Sequence, residues 1–318
     1  MPNTNENILK VGVIGVGSMG QHHARIYDGL PTAELVGVFD ADTDRAEAIA
    51  DKYNTAVMEI DELLETTTAV SVAVPTQYHF DIVKKCFDHG VSPLIEKPVV
   101  ENVELAEELR HLAQNSDVTV QVGHVERFNP AVQVAQNIVK DKNILAVSAE
   151  RLGPPPNRAI NDSAVIDLMI HDIDILLSLI DNEFLSVMSG GIRCNKYGTA
   201  IIDFEGEAVA TLTASQLTQQ KVRSLKITTE EFVVEVDYID QTVEIHRQST
   251  PSYVEKGEGM RYRDEHVVEH PTVPSAEPLQ SELESFVEVV TTGSEPEVTL
   301  DDGIQALTLA EEVEKKSR

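Results

Sequence analysis

The chain has 318 residues, a length that predicts two domains, each large enough to bury its own core. Acidic residues outnumber basic ones 54 to 25, and the formal net charge of −29 argues against nucleic acid or an anionic membrane surface as a partner. The acids are dispersed and 42% of the residues are hydrophobic, which indicates the surface of a folded protein. We hypothesise a halophilic source, because a salt-rich cytoplasm would screen the self-repulsion of such a surface.

The first predicted element is a short apolar strand that runs into a glycine-rich turn. Gly15, Gly17 and Gly20 form a G-x-G-x-x-G pattern, and a helix follows it. The first glycine permits a tight turn, the second lets a pyrophosphate approach the backbone, and the third lets the helix lie close to the strand. This arrangement predicts a dinucleotide site, with the phosphates at the helix N-terminus near Ser18 and Met19.

The second predicted strand ends at Asp40, about 20 residues beyond the last glycine. At that position a carboxylate can accept hydrogen bonds from the adenosine ribose hydroxyls. Asp40 would repel a 2′-phosphate, which favours NAD over NADP as the cofactor. Arg45 lies nearby in the sequence and would partly offset that charge, so NADP stays an alternative.

Strands and helices then alternate, which predicts a doubly wound parallel sheet. The apolar run from Ala69 to Val74 is typical of a parallel strand buried on both faces. Ligands of such sheets bind at the carboxyl ends of the strands, so Pro75, Thr76 and His79 are candidate cofactor residues. A capping threonine and a packed structural histidine are equally compatible with the pattern.

Two motifs follow later strands of this predicted sheet. Glu96-Lys97-Pro98 places a lysine at the end of an apolar strand, which favours a functional Lys97 over a solvated one. Arg127-Phe128-Asn129-Pro130 follows the next strand. With the glycine pattern and Asp40, these motifs resemble the Gfo/Idh/MocA oxidoreductase family over nearly the whole chain. The resemblance implies an NAD-binding Rossmann domain over residues 1–125, with Glu96 and Lys97 beside the cofactor.

Residues 126–318 are predicted to form an α+β domain for substrate binding and oligomerisation. Six predicted strands between Phe184 and His246 have short connections, which indicates a large, mostly antiparallel open sheet. The exposed face of such a sheet predicts a homodimer or homotetramer. Residues 249–278 are predicted to form a long loop or an edge hairpin, and no role is assigned to them. A helix from Pro278 and a last helix capped by Asp301 complete the domain.

Asp167 and His171 lie one turn apart in an apolar helix predicted over residues 165–177. From the residues alone, a core histidine satisfied by an aspartate is the simpler interpretation. The family resemblance implies instead that His171 is the general base and that Asp167 orients it. Lys97 would then lend positive charge to the same substrate oxygen.

The detailed motifs resemble the branch of the family that oxidises the 3-hydroxyl of UDP-N-acetylglucosamine. On that basis His124, Arg127, Asn129 and Arg158 are candidate substrate contacts, and Arg151 is a further cation near the Gly153–Pro156 loop. Ordinary surface pairing of these arginines stays open. Two other functions also stay open. One is a dehydrogenase of a free sugar or cyclitol, and the other is a non-catalytic dinucleotide sensor.

The remaining sequence features favour neither a disulfide nor a metal site, and neither a signal peptide nor a membrane span. Cys86 and Cys194 fit buried apolar residues better than a disulfide or a metal-binding pair. His266 and His270 have a metal-ligand spacing but weak helix signal, so surface residues are favoured and no metal is predicted. A polar N-terminus indicates no signal peptide, and no apolar run has the length of a membrane span. We expect a cytoplasmic protein.

Overall fold

The computed structural model describes residues 8–155, 163–248, 252–256, 259–263 and 266–317, with the backbone alone at 252–256 and 259–263. The chain divides into two compact units. The first comprises the residues up to Phe128 together with Glu277–Thr308. The second comprises Asn129–Ala276 and Leu309–Arg318.

A six-stranded parallel sheet forms the centre of the first unit. Its strands are β1 (Leu9–Ile14), β2 (Ala33–Phe39), β3 (Ala56–Val57), β4 (Ala69–Val72), β5 (Ser92–Glu96) and β6 (Gln121–Gly123). The strand order β3-β2-β1-β4-β5-β6 is that of a dinucleotide-binding fold. The connecting helices are α1 (Gly20–Gly29), α2 (Thr43–Tyr53), α3 (Ile60–Thr66), α4 (His79–His89) and α5 (Val103–Ala113).

Both faces of this sheet are buried, as continuous apolar strands predict. On β1, Ile14 belongs to one hydrophobic cluster and Val13 to another. On β5, Ile95 and Leu94 are divided in the same way. Alternate side chains therefore enter two cores, one on each side of the sheet.

The second unit contains an eight-stranded sheet with helices α6 (Pro130–Val139) and α7 (Ile170–Leu179). Its strands, in chain order, are β7 (Ile144–Leu152), β8 (Phe184–Ile192), β9 (Tyr197–Phe204), β10 (Val209–Ser215), β11 (Val222–Thr229), β12 (Val233–Asp237), β13 (Thr242–Gln248) and β16 (His266–Glu269). Between the last two, β14 (Ser252–Lys256) pairs with β15 (Gly259–Arg263) as a hairpin. All pairs in the large sheet are antiparallel except β7 with β10. The predicted fold class, a Rossmann sheet plus an α+β unit with a mostly antiparallel sheet, is confirmed.

One face of the large sheet is buried and the other is not. Helix α6 packs against β12 and β13, where Val234, Val236, Val243 and Ile245 are buried at alternate positions. On the opposite face, Met188 of β8 pairs in register with Ile201 of β9, and both are exposed.

The last two helices are α8 (Pro278–Thr292) and α9 (Leu300–Lys316). The sequence-based division placed both in the second domain, whereas the first unit includes residues 277–308 because α8 packs against α1. Asp301 was the predicted cap of α9, and this was wrong. Thr299 caps it, accepting from the Asp302 N–H at 3.1 Å while Asp302 accepts from the Thr299 N–H at 2.8 Å.

Within the described ranges, no helix combines the length and the apolar character that a membrane crossing requires. The cytoplasmic localisation stays a prediction.

Candidate active site

The glycine turn leaves an open cradle at the second glycine. Gly15 has φ +87°, and a Cβ built there would lie 2.8 Å from the Ala73 carbonyl oxygen. A Cβ on Gly20 would lie 1.8 Å from the Gly15 oxygen. Because glycine has no Cβ, α1 can lie this close to β1. At Gly17, by contrast, the nearest described heavy atom to such a Cβ is Arg45 Nη1 at 3.9 Å. The space above Gly17 fits a pyrophosphate pressed against the backbone.

The N-terminus of α1 opens beside this cradle. Met19 is the residue before the helix, and its side chain makes no capping hydrogen bond. The N–H groups of a first helical turn lack partners within the helix and attract anions. Ser18 and Met19 directly precede this helix, and their phosphate contacts stay predictions.

Asp40 faces the same turn from the end of β2. Its Oδ2 accepts a hydrogen bond from the Val16 N–H at 2.9 Å, and its Oδ1 accepts one from the Asp42 N–H at 2.9 Å. The Arg45 guanidinium contacts both Asp40 oxygens at 3.2 and 3.3 Å, and it reaches Asp42 Oδ2 at 2.9 Å. A carboxylate fixed in this way can accept hydrogen bonds from ribose hydroxyls. The Arg45 guanidinium lies next to it.

His79 is buried, and its ring forms hydrogen bonds with two loops at the carboxyl edge of the sheet. Its Nε2 lies 2.9 Å from the Val74 carbonyl oxygen, and its Nδ1 lies 3.1 Å from that of Pro98 and 3.2 Å from that of Val99. Burial lowers the pKa of His79, and the hydrogen bonds to the three carbonyl oxygens oppose this shift without reversing it. This is the arrangement of a packed structural histidine. Thr76 begins a short 3₁₀ turn, and cofactor contacts by Pro75, Thr76 and His79 stay predictions.

Glu96 ends β5 and lies against α1. Its Oε1 accepts a hydrogen bond from His23 Nε2 at 3.0 Å, and both side chains are buried. Lys97 follows directly, half-buried, with a cis bond to Pro98. The first unit thus holds the glycine cradle, Asp40 and Lys97 at one edge of its sheet, where parallel sheets bind ligands.

The predicted substrate residues after β6 differ in their surroundings. His124 is 1% exposed, and Arg127 is buried with its Nη2 3.8 Å from Asp302 Oδ1. Asn129 caps α6, its Oδ1 accepting from the Ala131 N–H at 3.1 Å. Its Nδ2 also donates to a backbone oxygen, at 3.1 Å. Arg158 lies outside the described residues, and the substrate contacts of all four stay predictions.

Arg151 forms a buried ion pair within the second unit. It donates from Nε and Nη2 to the two carboxylate oxygens of Asp172 at 2.9 and 2.8 Å, and both side chains are buried. Its guanidinium also lies 5.0 Å from the centre of the Tyr238 ring. The positive charge of Arg151 is therefore compensated within the second unit.

The helix that carries Asp167 and His171 begins irregularly. A continuous α-helix was predicted over residues 165–177, but Val165–Met169 forms a π-helical turn and α7 starts at Ile170. Such turns recur at functional sites. His171 and Asp167 are both half-buried.

Gln216 holds the Asp167 carboxylate, and sequence reasoning missed it. Its Nε2 donates to Asp167 Oδ2 at 2.8 Å, and the residue is 4% exposed. The only available signal was its position directly after a predicted strand, 49 residues from its partner.

One group among the described residues has the donors and spacing of a metal site. Ligand atoms of Glu235, Glu244 and His246, on β12 and β13, lie within 4.8 Å of one another. Lys226 already pairs with Glu235 at 2.7 Å, and the Glu235 pKa is lowered chiefly by that hydrogen bond. The expectation of no metal stays a prediction.

Comparisons with known proteins give consistent similarities. The Gfo/Idh/MocA family model, described as an oxidoreductase family with an NAD-binding Rossmann fold, matches residues 9–124. The chain is 32% identical over 245 residues to the UDP-N-acetylglucosamine 3-dehydrogenase of Acidithiobacillus ferrooxidans, covering 76% of this chain and 77% of that one. A solved structure of that protein matches with a TM-score of 0.85, 29% identity and 97% of each chain covered. An inositol 2-dehydrogenase of Rhizobium meliloti is 26% identical over 321 residues, covering 95% of each chain.

Proposed function

The chain belongs to the Gfo/Idh/MocA family of oxidoreductases, and we propose that it oxidises the 3-hydroxyl of a nucleotide sugar such as UDP-N-acetylglucosamine with NAD. The observation that carries the proposal is the open cradle at Gly17 next to the Asp40 carboxylate. NAD is favoured over NADP because Asp40 would repel a 2′-phosphate.

The proposed chemistry assigns one role to each of three side chains. When bound, NAD accepts the hydride that leaves the carbon bearing the hydroxyl. His171 takes the hydroxyl proton, for which an imidazole is suited because it ordinarily titrates near neutral pH. Asp167 orients the imidazole, and the Lys97 ammonium stabilises the negative charge that develops on the oxygen.

The substrate proposal has a second candidate. Similarity to UDP-N-acetylglucosamine 3-dehydrogenase supports the nucleotide sugar, while the similarity to an inositol 2-dehydrogenase over 95% of both chains supports a cyclitol. The same three side chains serve either substrate, since each reaction removes a hydride and a proton from a CH–OH group.

The test is NADH formation with UDP-N-acetylglucosamine, free N-acetylglucosamine and myo-inositol, with the product identified by mass spectrometry. Lys97→Ala and His171→Ala should lower kcat by about 10²-fold or more with the true substrate. Exposed Lys84→Ala and His111→Ala are matched controls and should retain wild-type rates. Near-normal turnover by Lys97→Ala or His171→Ala would refute these roles, and turnover of myo-inositol alone would identify a cyclitol dehydrogenase.

We also propose that the exposed face of the large sheet mediates a homodimer or homotetramer. Met188 and Ile201 supply exposed apolar surface at neighbouring positions on that face. Met188→Glu with Ile201→Glu should yield a monomer in light scattering, whereas Ile239→Glu, at another exposed apolar position, should not. A wild-type monomer would contradict the proposal.

A further inference from the structure

The segment at the end of β10 connects three parts of the second unit. It comprises residues 215–218, and Gln216 within it donates to Asp167 Oδ2 at 2.8 Å. The Gln216 N–H donates to the Lys196 carbonyl oxygen, in the turn between β8 and β9, at 2.8 Å. The Gly153 N–H donates to the Ser215 carbonyl oxygen at 2.9 Å. The peptide group that joins Ser215 to Gln216 is therefore held by hydrogen bonds at both its N–H and its carbonyl oxygen.

The turn between β8 and β9 also holds the start of the helix that carries Asp167. Arg193, Cys194 and Asn195 have φ values of 51°, 54° and 56°, which is three successive residues in the left-handed region. This conformation directs the Asn195 carbonyl oxygen to the Ala164 N–H, which donates to it at 2.8 Å. The donor and the acceptor of the Gln216–Asp167 hydrogen bond are thus anchored to the same turn.

We propose that Gln216 is a positioning residue that fixes the Asp167 carboxylate for its action on His171. This inference rests on the proposed function, in which Asp167 orients the imidazole. The amide suits the task because it donates a hydrogen bond without adding a charge. Gln216 therefore restrains one carboxylate oxygen and leaves the negative charge of Asp167 to act on the imidazole. Such supporting contacts limit the motion of a reacting group.

A carboxylate at the same position would have a different effect. Gln216→Glu is nearly isosteric, and its protonated form can still donate to Asp167. Once ionised, the introduced glutamate would place a second negative charge beside that of Asp167. Two carboxylates that share a site repel each other. The ratio of variant to wild-type kcat should therefore fall as the pH rises through a series from about 4, the ordinary glutamate range, to about 9, the range of buried glutamates.

The experiment compares Gln216→Glu, Gln216→Leu and the control Gln136→Leu in the full-length enzyme. Gln136 is half-buried in the same unit and donates from Nε2 to Ser178 Oγ at 2.9 Å. Gln216→Leu should lower kcat about tenfold with little change in the KM for NAD, in line with the loss of an outer-shell partner of a reacting group. Gln136→Leu should keep the wild-type kcat. Melting temperatures at each pH separate loss of folding from loss of positioning.

The outcomes distinguish this inference from the proposed function. A wild-type kcat and pH profile in both Gln216 variants, with His171→Ala inactive, would overturn the role of Gln216 and leave the function intact. Turnover by His171→Ala at the wild-type rate would overturn the function itself. If Gln216→Leu does not fold, the pH-dependent ratio of Gln216→Glu decides, and a flat ratio overturns the inference.

Discussion

The Nε2 atom of His23 lies 3.0 Å from the Oε1 atom of Glu96, and neither residue is more than 8% exposed. Burial opposes ionisation of Glu96, but the hydrogen bond and charge of His23, with the charges of Lys97 and His79, outweigh it and hold the Glu96 pKa below its usual range. A carboxyl group whose pKa is lower in the folded chain adds stability above its unfolded pKa. That stability is lost as the pH falls through the folded pKa.

We predict that His23→Ala lowers the free energy of unfolding by about 3–5 kcal/mol at neutral pH, because it leaves a buried carboxylate without its partner. The difference from wild type should shrink in acid, below the ordinary glutamate range, where Glu96 is protonated. Urea unfolding at a series of pH values measures both effects. His22→Ala, at the exposed neighbouring position, should change little. A deficit in His23→Ala that persists unchanged in acid would contradict the assignment.

Asp40 is expected to set the cofactor preference. Asp40→Asn removes the charge that faces a 2′-phosphate, so kcat/KM with NAD should fall about tenfold through weaker ribose contacts, and kcat/KM with NADP should rise. Asp42→Asn is the control, because Asp42 also contacts Arg45 but caps α2, a role that asparagine performs equally well. Steady-state rates with each cofactor measure the preference. An unchanged NAD to NADP ratio in Asp40→Asn would contradict it.

The sequence predicted the parallel sheet of the first unit well because each signal there is local. Glycine positions, apolar runs and the acid after β2 lie within a few residues of the elements that they specify. Parallel strands then bring their carboxyl ends to one edge, so Asp40 and Lys97 could be assigned to that edge before any coordinates.

Contacts between distant residues could not be predicted in the same way. Gln216 and Asp167 are 49 positions apart, and His23 and Glu96 are 73 apart. Nothing in either local sequence specifies such a partner. The cap of α9 was missed for a different reason, since Thr299 and Asp301 both have capping side chains and only the backbone conformation decides between them.

The close approach of α1 to β1 depends on Gly20. A Cβ at that position would lie 1.8 Å from the Gly15 oxygen, a backbone atom that cannot move without opening the turn. Gly20→Ala should therefore lower the free energy of unfolding by about 1–3 kcal/mol or more, as overpacking does. Gly29→Ala, at the other end of the same helix, meets no atom within 4 Å and should be neutral or slightly stabilising. Thermal unfolding compares the two, and equal melting temperatures would contradict the packing argument.

The formal net charge of −29 makes the stability of the protein dependent on salt. At pH 7 the acidic surface repels itself, and raising the salt concentration from 0.1 M to 1 M shortens the screening length from about 10 Å to about 3 Å. We therefore predict that the melting temperature rises with KCl, by about 2–4 °C for each 1 kcal/mol gained. Near the calculated pI of about 4.6 the net charge vanishes, and the same addition of KCl should have little effect. Melting temperatures that fall with KCl at pH 7 would exclude an adaptation to high salt.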